Sequence, residues 1–221
     1  MTSGAQVEPA ARRGLADEVA DRIRAAIFAG AYPPGAPLRE VDLSGMLQVS
    51  RGPVREALIR LEREGLVTSR WHRGTTVRML SAEDIAEIYS LRAALDRLAV
   101  ATAVERAADA DLAALDAVVD RMAAAVGGGA TEELLAMDVE FHDLIFRAAR
   151  HGRLEDAWRA IRSQVYLFLL TRAARSDDYR AIVVEEHRAI AQALRSRNTA
   201  NAVALCEEHL RGAYQRLVGS D

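Results

Sequence analysis

Three of the five histidines in this 221-residue chain stand where a metal ion could be held. Asp138 and His142 are four residues apart, a spacing that puts both side chains on one helical face, a turn apart. His187 lies in Val184-Glu185-Glu186-His187 and His209 in Cys206-Glu207-Glu208-His209, on two further helical stretches. Each falls in register with apolar residues: Leu134, Leu135 and Ile145 for the Asp138 pair, Val183, Ile190 and Leu194 for His187, Leu205 and Leu217 for His209. If these helices face one another, one carboxylate and three imidazoles meet, a donor set suited to a divalent ion, zinc first and nickel second. Hydrogen-bonded core histidines would give the same pattern, so both readings stay open. His72 and His151 fall in connecting segments and are expected to be exposed.

Such a site could activate water for hydrolysis, which also needs a general base and a place for developing negative charge. Glu140 is the nearest carboxylate, but two residues from Asp138 it points to another face. There is no nucleophile motif and no glycine-rich phosphate loop. The expectation is therefore a binding protein, not an enzyme.

A second set of residues suits a polyanion. Arg51 and Arg55 are one helical turn apart, so both guanidiniums leave the same face. Arginine bridges phosphates and guanine edges with two parallel hydrogen bonds. Gly52 between them allows close backbone approach. Arg73 and Gly74 form the tip of a hairpin, a shape suited to the minor groove or its flanking phosphates.

The elements that must carry these residues are legible. Residues 15–29 place Leu15, Val19, Ile23, Ala26 and Ile27 on one face, and Tyr32-Pro33-Pro34-Gly35 cannot continue a helix. A short helix over 41–48 is expected to bury Leu43, Met46 and Leu47. Ser50 is a suitable N-cap, Pro53 fits the first turn of a third helix, and Gly65 ends it. Two strands, 66–69 and 75–79, follow. Three helices and a hairpin make a winged helix-turn-helix, with the third helix as reader. From residue 81 the pattern is six amphipathic helices, over 82–106, 109–126, 131–150, 153–171, 178–195 and 200–218, separated by breaks such as Gly127-Gly128-Gly129. The expected fold is mainly α: a tail over 1–14, a winged helix-turn-helix over 15–79 for DNA, and over 80–221 a six-helix antiparallel bundle for effector binding and dimerisation.

Composition agrees. Half the chain is apolar and 28% is charged, which excludes disorder and collagen-like structure. A single cysteine, Cys206, excludes an internal disulfide, and apolar runs are far short of a membrane span, so a cytoplasmic protein is expected. The net charge of -3 hides a split: twelve arginines face nine acidic residues through Met79, and seventeen face twenty-three beyond it. A basic front and an acidic back suggest a nucleic-acid module joined to something else.

Pro34-Gly35-x-x-Leu38-x-Glu40, Val49-Ser50-Arg51-x-Pro53-Val54-Arg55-Glu56-Ala57-Leu58, Leu61-x-x-Glu64-Gly65-Leu66-Val67 and Arg73-Gly74-x-x-Val77 resemble the GntR family of bacterial transcription regulators. Gly52 departs from the threonine or alanine commoner there. The resemblance implies DNA contacts from Arg51, Arg55 and the Gly74 wing, with Arg39 a further phosphate contact. Tyr89-x-x-Arg92-x-x-Leu95-Asp96, Asp138-x-x-x-His142-x-x-Ile145, Glu186-His187-x-x-Ile190 and His209-Leu210 resemble the effector domain (FCD) of the FadR branch. Six helices are similar to its VanR subgroup. This resemblance implies a metal held by Asp138, His142, His187 and His209, open positions for water or a carboxylate effector, and Arg92 in the same cavity. His151 and Asp96 depart from the asparagine and glutamate usual there.

The expected function is a metabolite-responsive regulator, read as a repressor. Its expected partners are a pseudo-palindromic double-stranded DNA operator, a small organic acid and a second copy of the chain. The dimer face is expected on the first bundle helix, at Leu91, Leu95 and Leu98, and residues 78–84 are expected to couple the two halves. The alternatives are a regulator that answers to the metal itself and a metal-dependent hydrolase.

Overall fold

The structure, a computed structural model, describes residues 14–128, 130–173 and 179–219. Of the segment expected as a tail, only Gly14 is included. Gly129 of the glycine break and Asp178, the expected first residue of a helix, also lie outside the described residues.

The front half is α1 (Leu15–Phe28), β1 (Pro37–Leu38), α2 (Glu40–Leu47), α3 (Arg51–Arg63), β2 (Val67–Arg70) and β3 (Gly74–Val77). Val19, Ile23 and Ile27 of α1 meet Leu43 of α2 and Val54, Ala57, Leu58 and Leu61 of α3 in one core. The sheet has three antiparallel strands in the order β1-β3-β2, where the hairpin alone was expected. β1 is two residues long, too short for an alternating pattern. Pro37 is tolerated because β1 is an edge strand.

Two core assignments need correction. Met46 is 70% exposed and Leu15 51%. Met46 lies at the outer edge of α2, near the Tyr32 hydroxyl, because this short helix turns only Leu43 fully inward. Leu15 begins α1, where its neighbour Ala16 takes the inward place in the first turn.

The back half is the expected six helices: α4 (Ala82–Arg106), α5 (Asp109–Ala125), α6 (Thr131–Ala148), α7 (Gly152–Ala173), α8 (Tyr179–Arg195) and α9 (Thr199–Val218). They enclose a core of their own that includes Val100, Leu115, Leu135, Phe141, Phe146, Val165 and Leu194. No helix among the described residues is long and apolar enough to cross a membrane. Ser81 caps α4: its hydroxyl accepts from the Asp84 amide at 3.1 Å, and the Asp84 carboxylate accepts from the Ser81 amide at 2.9 Å. Arg78 pairs with the same carboxylate, so the connector is tied to the start of α4.

A second junction was not foreseen. Leu167 of α7 is fully buried within the winged-helix core. Beside it the Tyr166 ring stacks on Phe28 at 3.8 Å, and its hydroxyl donates to the Phe28 carbonyl at 2.7 Å. Arg24 of α1 holds Glu64 through two hydrogen bonds, and the Ser163 hydroxyl donates to the same carboxylate at 3.2 Å. Gly65, at φ +71°, lets this approach happen: a Cβ there would stand 2.7 Å from Gln164 Cδ.

Candidate metal centre and nucleic-acid interface

Asp138 and His142 of α6, His187 of α8 and His209 of α9 converge in the bundle core, each able to offer one donor atom within 4.8 Å of the others. All four are buried, His209 at 5% exposure and the rest at 0%. The helical faces bring them there: Leu134, Leu135, Ile145, Ile190 and Leu194 share the inward stripes, and Phe141 packs edge-on against His142 and His187.

Each imidazole is oriented from behind. His142 Nδ1 faces Asp96 Oδ1 at 2.7 Å, His187 Nδ1 faces the Val183 carbonyl at 2.7 Å, and His209 Nδ1 faces Glu186 Oε2 at 2.6 Å. A backbone carbonyl only accepts, so His187 Nδ1 carries the proton and Nε2 presents a lone pair. The ionised carboxylates of Asp96 and Glu186 impose the same tautomer on the other two rings. The Tyr179 hydroxyl lies 3.2 Å from Asp138 Oδ2, which steadies that carboxylate.

Burial drives the His187 pKa down to about 3 and pushes His142 below its ordinary value, so both rings are neutral at pH 7. Burial alone would raise Asp138. The facing imidazoles and Arg92 outweigh it together and hold the carboxyl low. The result is an ionised carboxylate facing the neutral rings of His142 and His187, whose Nε2 lone pairs turn inward. Asp138 Oδ1, His142 Nε2 and His187 Nε2 are buried without a hydrogen-bond partner. Such groups are costly unless something satisfies them, and a divalent cation does so for all at once. The residues present therefore fit the metal.

Arg92 of α4 is buried beside this cluster. Its Nε lies 3.5 Å from Asp96 Oδ2 and its guanidinium 5.9 Å from the centre of the Trp158 ring. Its Nε and Nη2 lack hydrogen-bond partners. Glu140 instead pairs with Arg121 at 2.7 Å, away from the centre. His151, expected to be exposed, is half-buried, because its Nδ1 accepts from the Leu154 amide at the start of α7. Asp96, Glu186 and Tyr179 escaped the sequence reading as supports of the centre. Glu186 adjoins His187, and Asp96 follows Arg92 by one turn, but neither spacing says which ring a carboxylate will face.

The candidate DNA-contact residues are all exposed. Arg51 opens α3, where Ser50 holds the N-cap position. A Cβ on Gly52 would meet only the Ser50 hydroxyl, at 4.0 Å. Arg55 donates to both carboxylate oxygens of Glu40 of α2, at 3.1 and 2.9 Å, and remains 63% exposed. Arg39, at the N-cap position of α2, is 75% exposed. Gly74 (φ +76°) has nothing within 4 Å of a Cβ, and Arg73 stands beside it at the hairpin tip. The Ser69 amide donates to Glu62 Oε1 at 2.7 Å, which ties the hairpin to α3.

Two family descriptions match the chain: "Bacterial regulatory proteins, gntR family" over residues 15–77, and "FCD domain" over residues 87–212. The "Probable D-xylose utilization operon transcriptional repressor" of Paenarthrobacter nicotinovorans is 34% identical over 83% of this chain and 80% of its own. The "Nta operon transcriptional regulator" of Aminobacter aminovorans is 31% identical over 85% and 87%. Among solved structures, the GntR protein from Rhodococcus sp. RHA1 superposes with a TM-score of 0.81 at 27% identity, covering 92% of this chain and 97% of that one.

Proposed function

This chain belongs to the GntR family of bacterial transcription regulators with an FCD domain, and from that premise we propose that it is a homodimeric repressor released from its operator by a small carboxylate. The front unit, residues 15–79, reads DNA; residues 80–221 bind the effector and dimerise. Asp138, His142, His187 and His209 hold a divalent metal, zinc first and nickel second. The observation that carries this reading is the buried donor set with its lone pairs turned inward beside Arg92.

When bound, the cation offers Lewis-acid positions that a carboxylate oxygen can occupy. The chain supplies the rest. Asp96, Glu186 and the Val183 carbonyl fix the three rings, and Tyr179 steadies Asp138. Arg92 gives the second oxygen of a carboxylate a charged donor in a water-poor site. The relative named as a probable repressor of a D-xylose utilization operon supports a signal drawn from sugar metabolism.

Leu91 and Leu98, 48% and 47% exposed on α4, offer an apolar dimer face, and two reading heads suit a pseudo-palindromic operator. α4 also carries Arg92 and begins at the connector, so an acid drawn to Arg92 acts on the helix that sets the heads' placement.

The test is elemental analysis of the purified protein, then melting of the metal-loaded form with a panel of carboxylic acids. An acid at a hundred times its dissociation constant stabilises by about 2.7 kcal/mol. That acid should release a duplex selected by the protein, whereas added metal alone should not. Release by metal alone assigns the protein to metal sensing instead.

A further inference from the structure

The chain has two tryptophans with opposite fates. Trp158 is 2% exposed in the bundle, whereas Trp71 is 88% exposed, the most exposed large apolar side chain among the described residues. Trp71 sits at the tip of the β2–β3 hairpin, where Arg70 pairs with Gly74 and Trp71, His72 and Arg73 form the loop. The Arg73 amide donates to the Arg70 carbonyl at 3.0 Å, and His72 is left-handed at φ +61°. The His72 ring meets the indole edge-on at 5.2 Å. The hairpin therefore holds the indole out, with no core to cover it.

The surroundings say what does. Residues 70–74 carry two arginines and no acidic residue. The tip is not a free arm, because the Ser69–Glu62 bond fixes it to the reading helix and Ser69 and Thr75 hydroxyls bond across the strands at 3.1 Å. An apolar ring between cations, held at a set place beside a reading helix, matches the sugar walls and base edges of a duplex flanked by phosphates.

We propose that Trp71 is a DNA-contact residue, its indole packing into the duplex groove beside the reading helix while Arg70 and Arg73 take the flanking phosphates. The contact is apolar. It adds affinity for any sequence that lets the wing seat, and it releases no counterions. This inference rests on the winged-helix reading of DNA, and the experiment separates the two.

The probe is a duplex recovered from a random-sequence library by the full-length protein, titrated at several salt concentrations. Trp71→Ala should weaken binding about tenfold with the salt slope unchanged, and Trp71→Phe should restore most of the loss. Arg73→Ala should instead reduce the slope by about one. The emission difference between wild type and Trp71→Phe reports the exposed indole alone, and saturating duplex should shield it from iodide. Wild-type affinity in Trp71→Ala, a changed salt slope in that variant, or unshielded emission overturns the proposal. Arg55→Ala is the control. If it loses binding while Trp71→Ala does not, only this inference falls; if it too binds normally, the reading-helix assignment falls.

Discussion

Arg55 and Arg92 are the same side chain under opposite conditions. Arg55 is 63% exposed and shares its charge with one partly exposed carboxylate, Glu40. Arg92 is 4% exposed, beside Asp96 and a ring of imidazoles. Water screens the first, so its pairing adds little to stability, and on the proposed reading it can exchange Glu40 for a DNA phosphate. Burial removes the second from such screening, so losing either Arg92 or Asp96 would leave the other uncompensated in the core. On the proposed reading, the winged helix holds function that can be removed without cost to the fold, whereas in the bundle function and fold share the same buried atoms.

The sharpest way to break that contrast is His142→Ala. It should abolish metal binding and leave Asp138 buried beside a void, lowering stability by about 3–5 kcal/mol in urea unfolding. Unchanged metal content and midpoint would mean the cluster is an ordinary core. Arg92→Ala comes next: operator affinity and metal content should persist while the response to the effector acid is lost in an anisotropy release assay. Full inducibility would remove Arg92 from the site.

Arg51→Ala and Arg55→Ala test the other side. Each should cost about 1–3 kcal/mol in operator binding, while the unfolding free energy stays within about 0.5 kcal/mol of wild type. A large stability loss would mean the Arg55–Glu40 pair is a fold element after all. The smallest effect belongs between the two regions. Tyr166→Phe keeps the stack on Phe28 and removes the hydroxyl's bond to its carbonyl, at a cost of about 1 kcal/mol by differential melting.

The long bundle helices were legible because their apolar stripes repeat over many turns, and the α4 bounds agree to the residue. The four cluster residues were legible as candidates for the same reason: each rides an inward stripe. What failed were short elements and long-range partners. α2 spans eight residues, too few for a stripe to decide that Met46 faces out. β1 owes its existence to β3, a partner some forty residues on, where Leu38 pairs with Thr75. Asp96 reaches His142 across 46 residues, and Tyr166 reaches Phe28 across 138. No local spacing encodes such meetings; they follow from how whole helices pack.

With Leu167 embedded in the winged-helix core and Gly65 pressed against Gln164, each reading head is carried on its bundle as a fixed bracket. In a dimer, two such brackets stand a set distance and angle apart. The operator is then measured as well as read. One base pair added between half-sites shifts the second by about 3.4 Å and turns it by about a tenth of a turn. A head on a loose tether would absorb that step. A docked one must bend the duplex or give up half its grip, so on the proposed reading spacer length becomes as much a part of the recognised sequence as the bases.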